Sequence, residues 1–107
     1  MRAPGSPSNF SEASVDELLL SKIRLGVIAE LVASEWVAFS ELQRATQTTN
    51  GNLGAHLAKL VDAGYVLEEK AFVDRRPQTR YRLTGTGRNA FVRHVEKMQA
   101  ILKAGAS

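Results

Sequence analysis

Apolar residues recur every three or four positions in the first third of the chain, which is the pattern of a helix that buries one face. This run extends from Val15 to about Ser34. Ser14 precedes Glu17 by three residues, the spacing of a helix N-terminal capping box, so a continuous first helix is expected to begin at Ser14. Residues 1–13 mix Pro, Gly, Ser and Asn without periodicity and are expected to form a flexible tail.

The next segments predict two helices joined by a short polar turn. Ser40 is placed to cap a short helix that runs from Glu41 to about Gln47. The sequence QTTN, at positions 47–50, forms the turn, and a second helix is expected at about Gly51–Ala63. The inward stripe of this second helix consists of Leu53, Leu57, Leu60 and Val61.

Alternating sequences after this helix pair predict a β-hairpin. Its strands are expected at Tyr65–Phe72 and Thr79–Thr84, and Val73–Gln78 between them is expected to be a flexible basic loop. Glu35–Ser40 is short, aromatic and β-branched, which favours a third strand, and either Trp36 or Phe39 is expected to anchor it in the core. This order predicts an α+β winged helix-turn-helix fold, with a three-helix core, a small antiparallel sheet with a β-hairpin wing, and a long C-terminal helix.

The last helix carries an apolar seam that has no partner left within the chain. Thr84 or Thr86 is placed to cap this helix. Because such a seam is normally buried, we expect it to pack against a second copy as a homodimer interface. The folded domain is then expected at residues 14–104. The seam consists of Phe91, Val95, Met98 and Leu102.

Length and composition limit the possible classes of protein. A chain of 107 residues suits one domain, and 44% apolar with 23% charged residues is typical of a soluble globular protein. The absence of cysteine excludes disulfides, thiolate metal sites and cysteine nucleophiles. No apolar run approaches the roughly 18 residues of a membrane span, and the N-terminus does not have the pattern of a secretory signal. A cytoplasmic location is therefore expected.

Positive charge is concentrated on the predicted hairpin. The formal net charge is +3, but positions 70–82 hold five basic residues and one acidic residue. Arg75 and Arg76 at the tip could neutralise DNA phosphates or enter a minor groove. The alternative is a charged edge that only prevents sheet aggregation. The flanking strands add Lys70 and Arg80 to the candidate DNA contacts, with less weight for Arg82, which could face either side of the sheet. Tyr81 and Leu83 alternate with these arginines and are expected in the core.

The exposed side of the second helix is mostly small residues, where an ordinary surface helix would carry more Glu and Lys. Asn52 could make two hydrogen bonds to an adenine edge, and Ala55 could touch a thymine methyl group. His56, on the shoulder of this face, is either a DNA contact or a partly packed imidazole. The plain alternative for Asn52 and Ala55 is a solvent-exposed helix.

No enzymatic or metal chemistry is indicated. The sequence contains no Gly-rich phosphate loop, nucleophile elbow or metalloprotease motif. Glu68 and Glu69 are neighbours in a predicted strand, so they point to opposite faces and do not form a catalytic pair. His94 is expected at the surface, and no ligand set surrounds either histidine in sequence. We therefore expect a protein that is not an enzyme and needs no cofactor.

Most of the chain, about Leu18–Val95, carries three segments in order: SKIRLGVIAEL, SELQRATQTTNGNLGAHLAKLVDAGYV and KAFVDRRPQTRYRLTGTGR. Together they resemble the short single-domain winged-helix transcriptional regulators related to the MarR and ArsR families. The resemblance implies a homodimer on a pseudo-palindromic operator, with a recognition helix starting near Asn50. Gly54 stands where related sequences often have a phosphate-binding serine. By position, the resemblance implies DNA contacts from Thr49, Asn50, Asn52, His56, Lys59, Arg75 and Arg76.

The sequence therefore predicts a sequence-specific regulator that binds double-stranded DNA, most simply as a dimeric repressor. Two alternatives stay open. A protein-interaction module would use the face of Asn52 and Ala55 to bind a protein and would not need Arg75. A small-molecule-responsive regulator would hold its effector in a pocket between the first and last helices.

Overall fold

The computed structural model describes residues 16–106. The predicted tail at residues 1–13 and the predicted cap Ser14 lie outside the described residues. In residues 16–106, every helix is too short or too polar to span a lipid bilayer. The elements in chain order are a 3-10 helix at Glu17–Leu20, α1 at Lys22–Val32, β1 at Val37–Ala38, α2 at Phe39–Thr46, α3 at Asn50–Asp62, β2 at Val66–Val73, β3 at Arg76–Leu83 and α4 at Gly85–Ala106.

The prediction of one continuous first helix is wrong, because the chain breaks at Ser21. Ser21 is extended, with φ −81° and ψ 130°, and its side-chain oxygen accepts a hydrogen bond from the backbone N–H of Arg24 at 3.1 Å. Serine competes well for backbone donors in this way, so it caps a new helix and does not continue the preceding one. The short 3-10 helix before it has its own cap, Asp16, whose carboxylate accepts from the N–H of Leu18 at 3.0 Å.

The two helices of the helix-turn-helix are confirmed with shifted starts. α2 begins at Phe39, so Ser40 is not its cap; the chain enters the helix directly from β1 at Ala38. Gln47 ends α2 in the left-handed region with φ 52°. Thr49 then caps α3, accepting a hydrogen bond from the N–H of Asn52 at 3.1 Å.

The wing is a tight hairpin, and the predicted six-residue flexible loop is wrong. Strand pairing of β2 with β3 continues to Val73 opposite Arg76, so only Asp74 and Arg75 form the turn. Both turn residues have positive φ, 53° and 66°. This backbone is that of a two-residue hairpin turn whose twist matches the flanking strands.

Pro77 lies inside β3 although proline cannot donate to a strand ladder. The pair next to the turn is Val73 with Arg76, and Pro77 lies opposite Phe72 in the following pair. In an antiparallel ladder this position follows a hydrogen-bonded pair, so its nitrogen points away from β2. β1 covers β3 only at Tyr81 and Arg80, which leaves that outer side of Pro77 without a pairing strand.

The sheet, in the order β1-β3-β2, packs its inner face on the helices. That face carries Tyr81 and Leu83, both buried as predicted, and Phe39 packs beside the ring of Tyr81 with centroids 6.5 Å apart. The α+β winged-helix architecture is therefore confirmed. The apolar core comprises Leu19, Val27, Ile28, Leu31, Val37, Leu42, Leu53, Leu57, Leu60, Val66, Tyr81, Leu83 and Ala90.

α4 starts close against the end of α3 and the hairpin. Thr84 caps it, accepting from the N–H of Gly87 at 2.9 Å. A Cβ atom on Gly87 would lie 2.2 Å from the carbonyl oxygen of Tyr65, so only glycine allows this approach. The expectation that His94 lies at the surface is wrong: it follows the buried Ala90 by one helical turn and is itself only 6% exposed.

Candidate nucleic-acid interface

α3 separates its faces as the sequence predicts. Leu53, Leu57 and Leu60 are buried under the sheet and neighbouring helices. The opposite side presents small and polar side chains to solvent without a large apolar residue. The candidate contacts exposed on α3 and its cap are Thr49, Asn50, Asn52, Ala55 and Lys59.

The start of α3 is fixed by side-chain hydrogen bonds in the turn. Gln43 Nε2 donates to the carbonyl oxygen of Thr48 at 2.6 Å, which ties α2 to the turn. Asn52 Nδ2 donates to Oγ1 of Thr48, four residues earlier in the turn, at 2.7 Å. The Asn52 amide keeps its oxygen and one amide hydrogen for an outside partner. These are the groups that an adenine edge pairs with.

His56 is half-buried and contacts a residue that sequence reasoning missed. Its Nδ1 lies 3.0 Å from Nη1 of Arg24, and Arg24 Nε donates to the carbonyl oxygen of Leu18 at 2.7 Å. Burial lowers the pKa of His56, and the positive charges of Arg24 and Lys59 lower it further. The imidazole is therefore neutral near pH 7. No local pattern indicates this pair, because 32 positions separate the two residues.

The cations of the wing fall into two groups. Lys70, Arg75 and Arg76 are exposed and form no hydrogen bond or ion pair with the described residues. Arg80, in contrast, has Nη2 2.6 Å from Glu69 Oε1 and its guanidinium 4.9 Å from the centre of the Trp36 ring. The tip therefore offers free charge, while Arg80 is already neutralised on the outer face of the sheet.

Trp36 belongs to this outer face. It was a candidate core anchor beside Phe39, but Phe39 packs on the core and Trp36 lies under two arginines. Arg82 stands 5.8 Å from the Trp36 ring and 3.9 Å from the Glu35 carboxylate. Cation–π contacts of this kind hold the arginines along the sheet.

α3 and the inner face of the wing border one cleft of about 200 Å³. Gly54 and Ala58 form the helix side, and Glu68 and Tyr81 form the sheet side. Tyr81 donates its hydroxyl hydrogen to Glu68 at 2.9 Å. Asp62 also lines this cleft, so the cleft carries two carboxylates and is electrostatically unfavourable for phosphates.

The predicted dimer seam lies along α4. Phe91, Val95 and Met98 are all half-buried, and of these three Phe91 packs against the protomer core. Leu102 is 72% exposed and Ile101 is 56% exposed. His94 lies next to Val95 on the same helix. Its Nδ1 is buried and has no hydrogen-bond partner among the described residues.

A family model described as a winged helix DNA-binding domain matches residues 23–102. The chain belongs to this family of winged helix DNA-binding domains. An uncharacterised protein of Methanocaldococcus jannaschii is 31% identical over 83 residues, which span 78% of this winged-helix chain and 90% of that protein.

Solved structures share the fold. A transcriptional regulator homologue from Pyrococcus horikoshii aligns with a TM-score of 0.81 and 26% identity over 92% of this chain and 97% of that one. A MarR-family transcriptional regulator from Silicibacter pomeroyi aligns with a TM-score of 0.65 and 27% identity over 78% of this chain and 56% of that one. The prediction of a MarR-like winged-helix DNA-binding transcriptional regulator is confirmed at the level of family and fold. This family and this fold point to a transcriptional regulator and not to an enzyme.

Proposed function

We propose that this winged-helix protein is a homodimeric repressor that reads a two-fold symmetric site in double-stranded DNA. One observation carries the proposal: a helix face of small and polar residues at Asn52 and Ala55 lies beside a hairpin whose tip holds Arg75 and Arg76 without partners in the described chain. A helix with small exposed residues fits closely into a major groove, and a basic tip contacts the adjacent backbone.

The wing would position the protein and α3 would read the bases. Thr49, Asn50 and Lys59 flank the base-reading residues and are placed to bind phosphates. Lys70 and the tip arginines would bind the neighbouring backbone or a minor groove. Arg80 would contribute least of the candidate cations, because Glu69 and Trp36 already engage it.

The apolar stripe of α4 supports a dimer. α4 has 22 residues, so it is about 33 Å long at the ordinary helical rise. Its exposed side includes Val92, Ile101 and Leu102, an apolar surface that a second copy would cover. Dimerisation would double the reading surface and impose two-fold symmetry on the DNA site.

Selection from a random duplex library tests the function. Purified protein is incubated with the library at two salt concentrations, and the retained DNA is sequenced. Enrichment of a two-fold symmetric site that survives the higher salt is the expected result. Weak binding that disappears at moderate salt, without enrichment, would contradict sequence-specific reading and favour a protein-docking role for α3.

A further inference from the structure

Arg24 connects three parts of the molecule through its guanidinium. Its Nε donates to the carbonyl oxygen of Leu18 in the 3-10 helix, at 2.7 Å, and its Nη1 lies 3.0 Å from Nδ1 of His56 on α3. The chain break at Ser21 makes the first contact possible, because it places the Leu18 carbonyl outside the hydrogen-bond ladder of α1. Arg24 is half-buried, and its two contacts, with Leu18 and with His56, restrict the position of its guanidinium.

The contact fixes which nitrogen of His56 carries hydrogen. A guanidinium has donors and no acceptor, so Nδ1 must accept from Arg24 and the ring hydrogen must sit on Nε2. If the ring were protonated, the N–H at Nδ1 would face the N–H of Arg24, and two donors cannot form a hydrogen bond. The charged groups that act on the ring are Arg24 from α1 and Lys59 from α3. Both are positive, so both favour the neutral ring.

Nε2 of His56 points away from Arg24 and forms no hydrogen bond with a described residue. Among the described residues, the buried side-chain nitrogen that lacks a hydrogen-bond partner belongs to His94. Since Nε2 of His56 also lacks a partner, it must be accessible to solvent. His56 follows Asn52 by one helical turn, so the two side chains lie on the same side of α3. A single N–H donor therefore stands beside the Asn52 amide on the surface assigned to DNA.

We propose that Arg24 is a positioning residue for base readout, which holds His56 as a neutral Nε2–H donor toward an acceptor on a base edge. This rests on the proposed DNA-binding function. In the major groove guanine, adenine and thymine present acceptors, whereas cytosine presents an amino donor. The base opposite His56 is therefore any base except cytosine, and Arg24 sets that preference without contacting the base.

The geometry is tested in the 107-residue chain without DNA, by recording the imidazole ¹⁵N signals of His56 as pH is varied. We expect hydrogen on Nε2 and a pKa below the ordinary 6.5, and we expect the pKa to rise in Arg24→Gln. Since the folded-state pKa is the lower one, the contact stabilises the fold above about pH 6.5 and this contribution is lost as pH falls through the folded-state pKa. A hydrogen on Nδ1, or an unchanged titration in Arg24→Gln, would overturn the positioning role.

Base preference is tested by repeating the library selection with Arg24→Lys, which keeps the charge and loses the planar fork. We expect discrimination against cytosine at one position in each half-site to fall about five-fold or more, with little change in binding to random DNA. His56→Gln should retain part of the discrimination, because its amide also donates, and His56→Ala should lose it. Unchanged discrimination in Arg24→Lys would overturn the proposal.

The two experiments separate this inference from the proposed function. If the wild-type protein selects no DNA site, the function fails and base reading by His56 fails with it, while the ¹⁵N titration still decides whether Arg24 sets the ring state. If a site is selected but the variants read it unchanged, the function stands and the inference fails.

Discussion

Asn52, which we propose reads a base edge, is already oriented in the free protein. Its amide is exposed, and its Nδ2 is held by Thr48 Oγ1 at 2.7 Å. Thr48 is in turn fixed by Gln43, so the orientation depends on the turn between α2 and α3. A side chain already ordered in the free protein loses less rotamer freedom when it binds.

Replacing Asn52 with Ala should cost roughly 1 to 3 kcal/mol of binding free energy on the selected site and little on random DNA, because two base-edge hydrogen bonds disappear. Titrations of both duplexes measure the difference. Thr48→Val is the matched control, which removes the orienting hydroxyl and leaves the amide, and it should lose less. Equal losses of Asn52→Ala on both duplexes would make Asn52 a backbone contact.

The wing turn is the element where backbone strain and proposed function coincide. Asp74 and Arg75 both adopt positive φ, a conformation that glycine adopts freely and that costs other residues about 1 to 2 kcal/mol. Arginine at such a position is unfavourable for the fold alone. Its exposed charge at the hairpin tip is a reason for its presence there.

Arg75→Gly should therefore change stability and DNA binding in opposite directions. Relief of the left-handed strain should stabilise the fold by up to about 1 kcal/mol, measured by denaturant unfolding. Affinity for DNA should fall, because one phosphate-binding charge is removed. Arg76→Gly is the control, since Arg76 is a strand residue without positive φ and its replacement should reduce both stability and affinity. Unchanged DNA affinity in Arg75→Gly would exclude this arginine from the interface.

The spacing of apolar residues and the turn-forming residues predicted which helices and strands exist. Where each one begins and ends depended on side-chain hydrogen bonds and on the position of proline. The leucine stripe of α3 and the alternation of Tyr81 and Leu83 were sufficient to place those residues in the core. The strand pairing up to Arg76 was missed because Pro77 suggested a loop, although an antiparallel ladder has positions that need no donor. The pair of Arg24 and His56 could not be predicted, since it depends on how α1 crosses α3.

At the scale of the molecule as far as the structure describes it, α4 leaves an apolar surface uncovered that includes Val92, Ile101 and Leu102. Met98 lies in the middle of the predicted seam, between Val95 and Leu102. Burying such a stripe against a second copy removes apolar area from water, which contributes about 25 cal/mol per Å². A two-fold symmetric dimer would carry two copies of α3 related by its axis, which matches a DNA site with two symmetric half-sites.

Met98→Asp should split the dimer, because a carboxylate in the seam would be buried without a partner. Sedimentation of the wild-type protein should give a dimeric mass, and the variant a monomeric one. Ala100→Asp introduces the same charge at an exposed position on the opposite side of α4 and should leave the dimer intact. A dimeric mass for Met98→Asp would refute this placement of the interface.

The salt dependence of DNA binding tests the proposed surface most directly. Affinity for the selected site is measured from low to moderate salt for the wild type, for Arg75→Ala with Arg76→Ala, and for Arg82→Ala, which removes a cation engaged by Trp36 and Glu35. The double variant should flatten the slope of log affinity against log salt by about 0.9 for each phosphate that the protein no longer neutralises, and the control should keep the wild-type slope. An unchanged slope in the double variant would contradict a DNA surface formed by α3 and the wing tip.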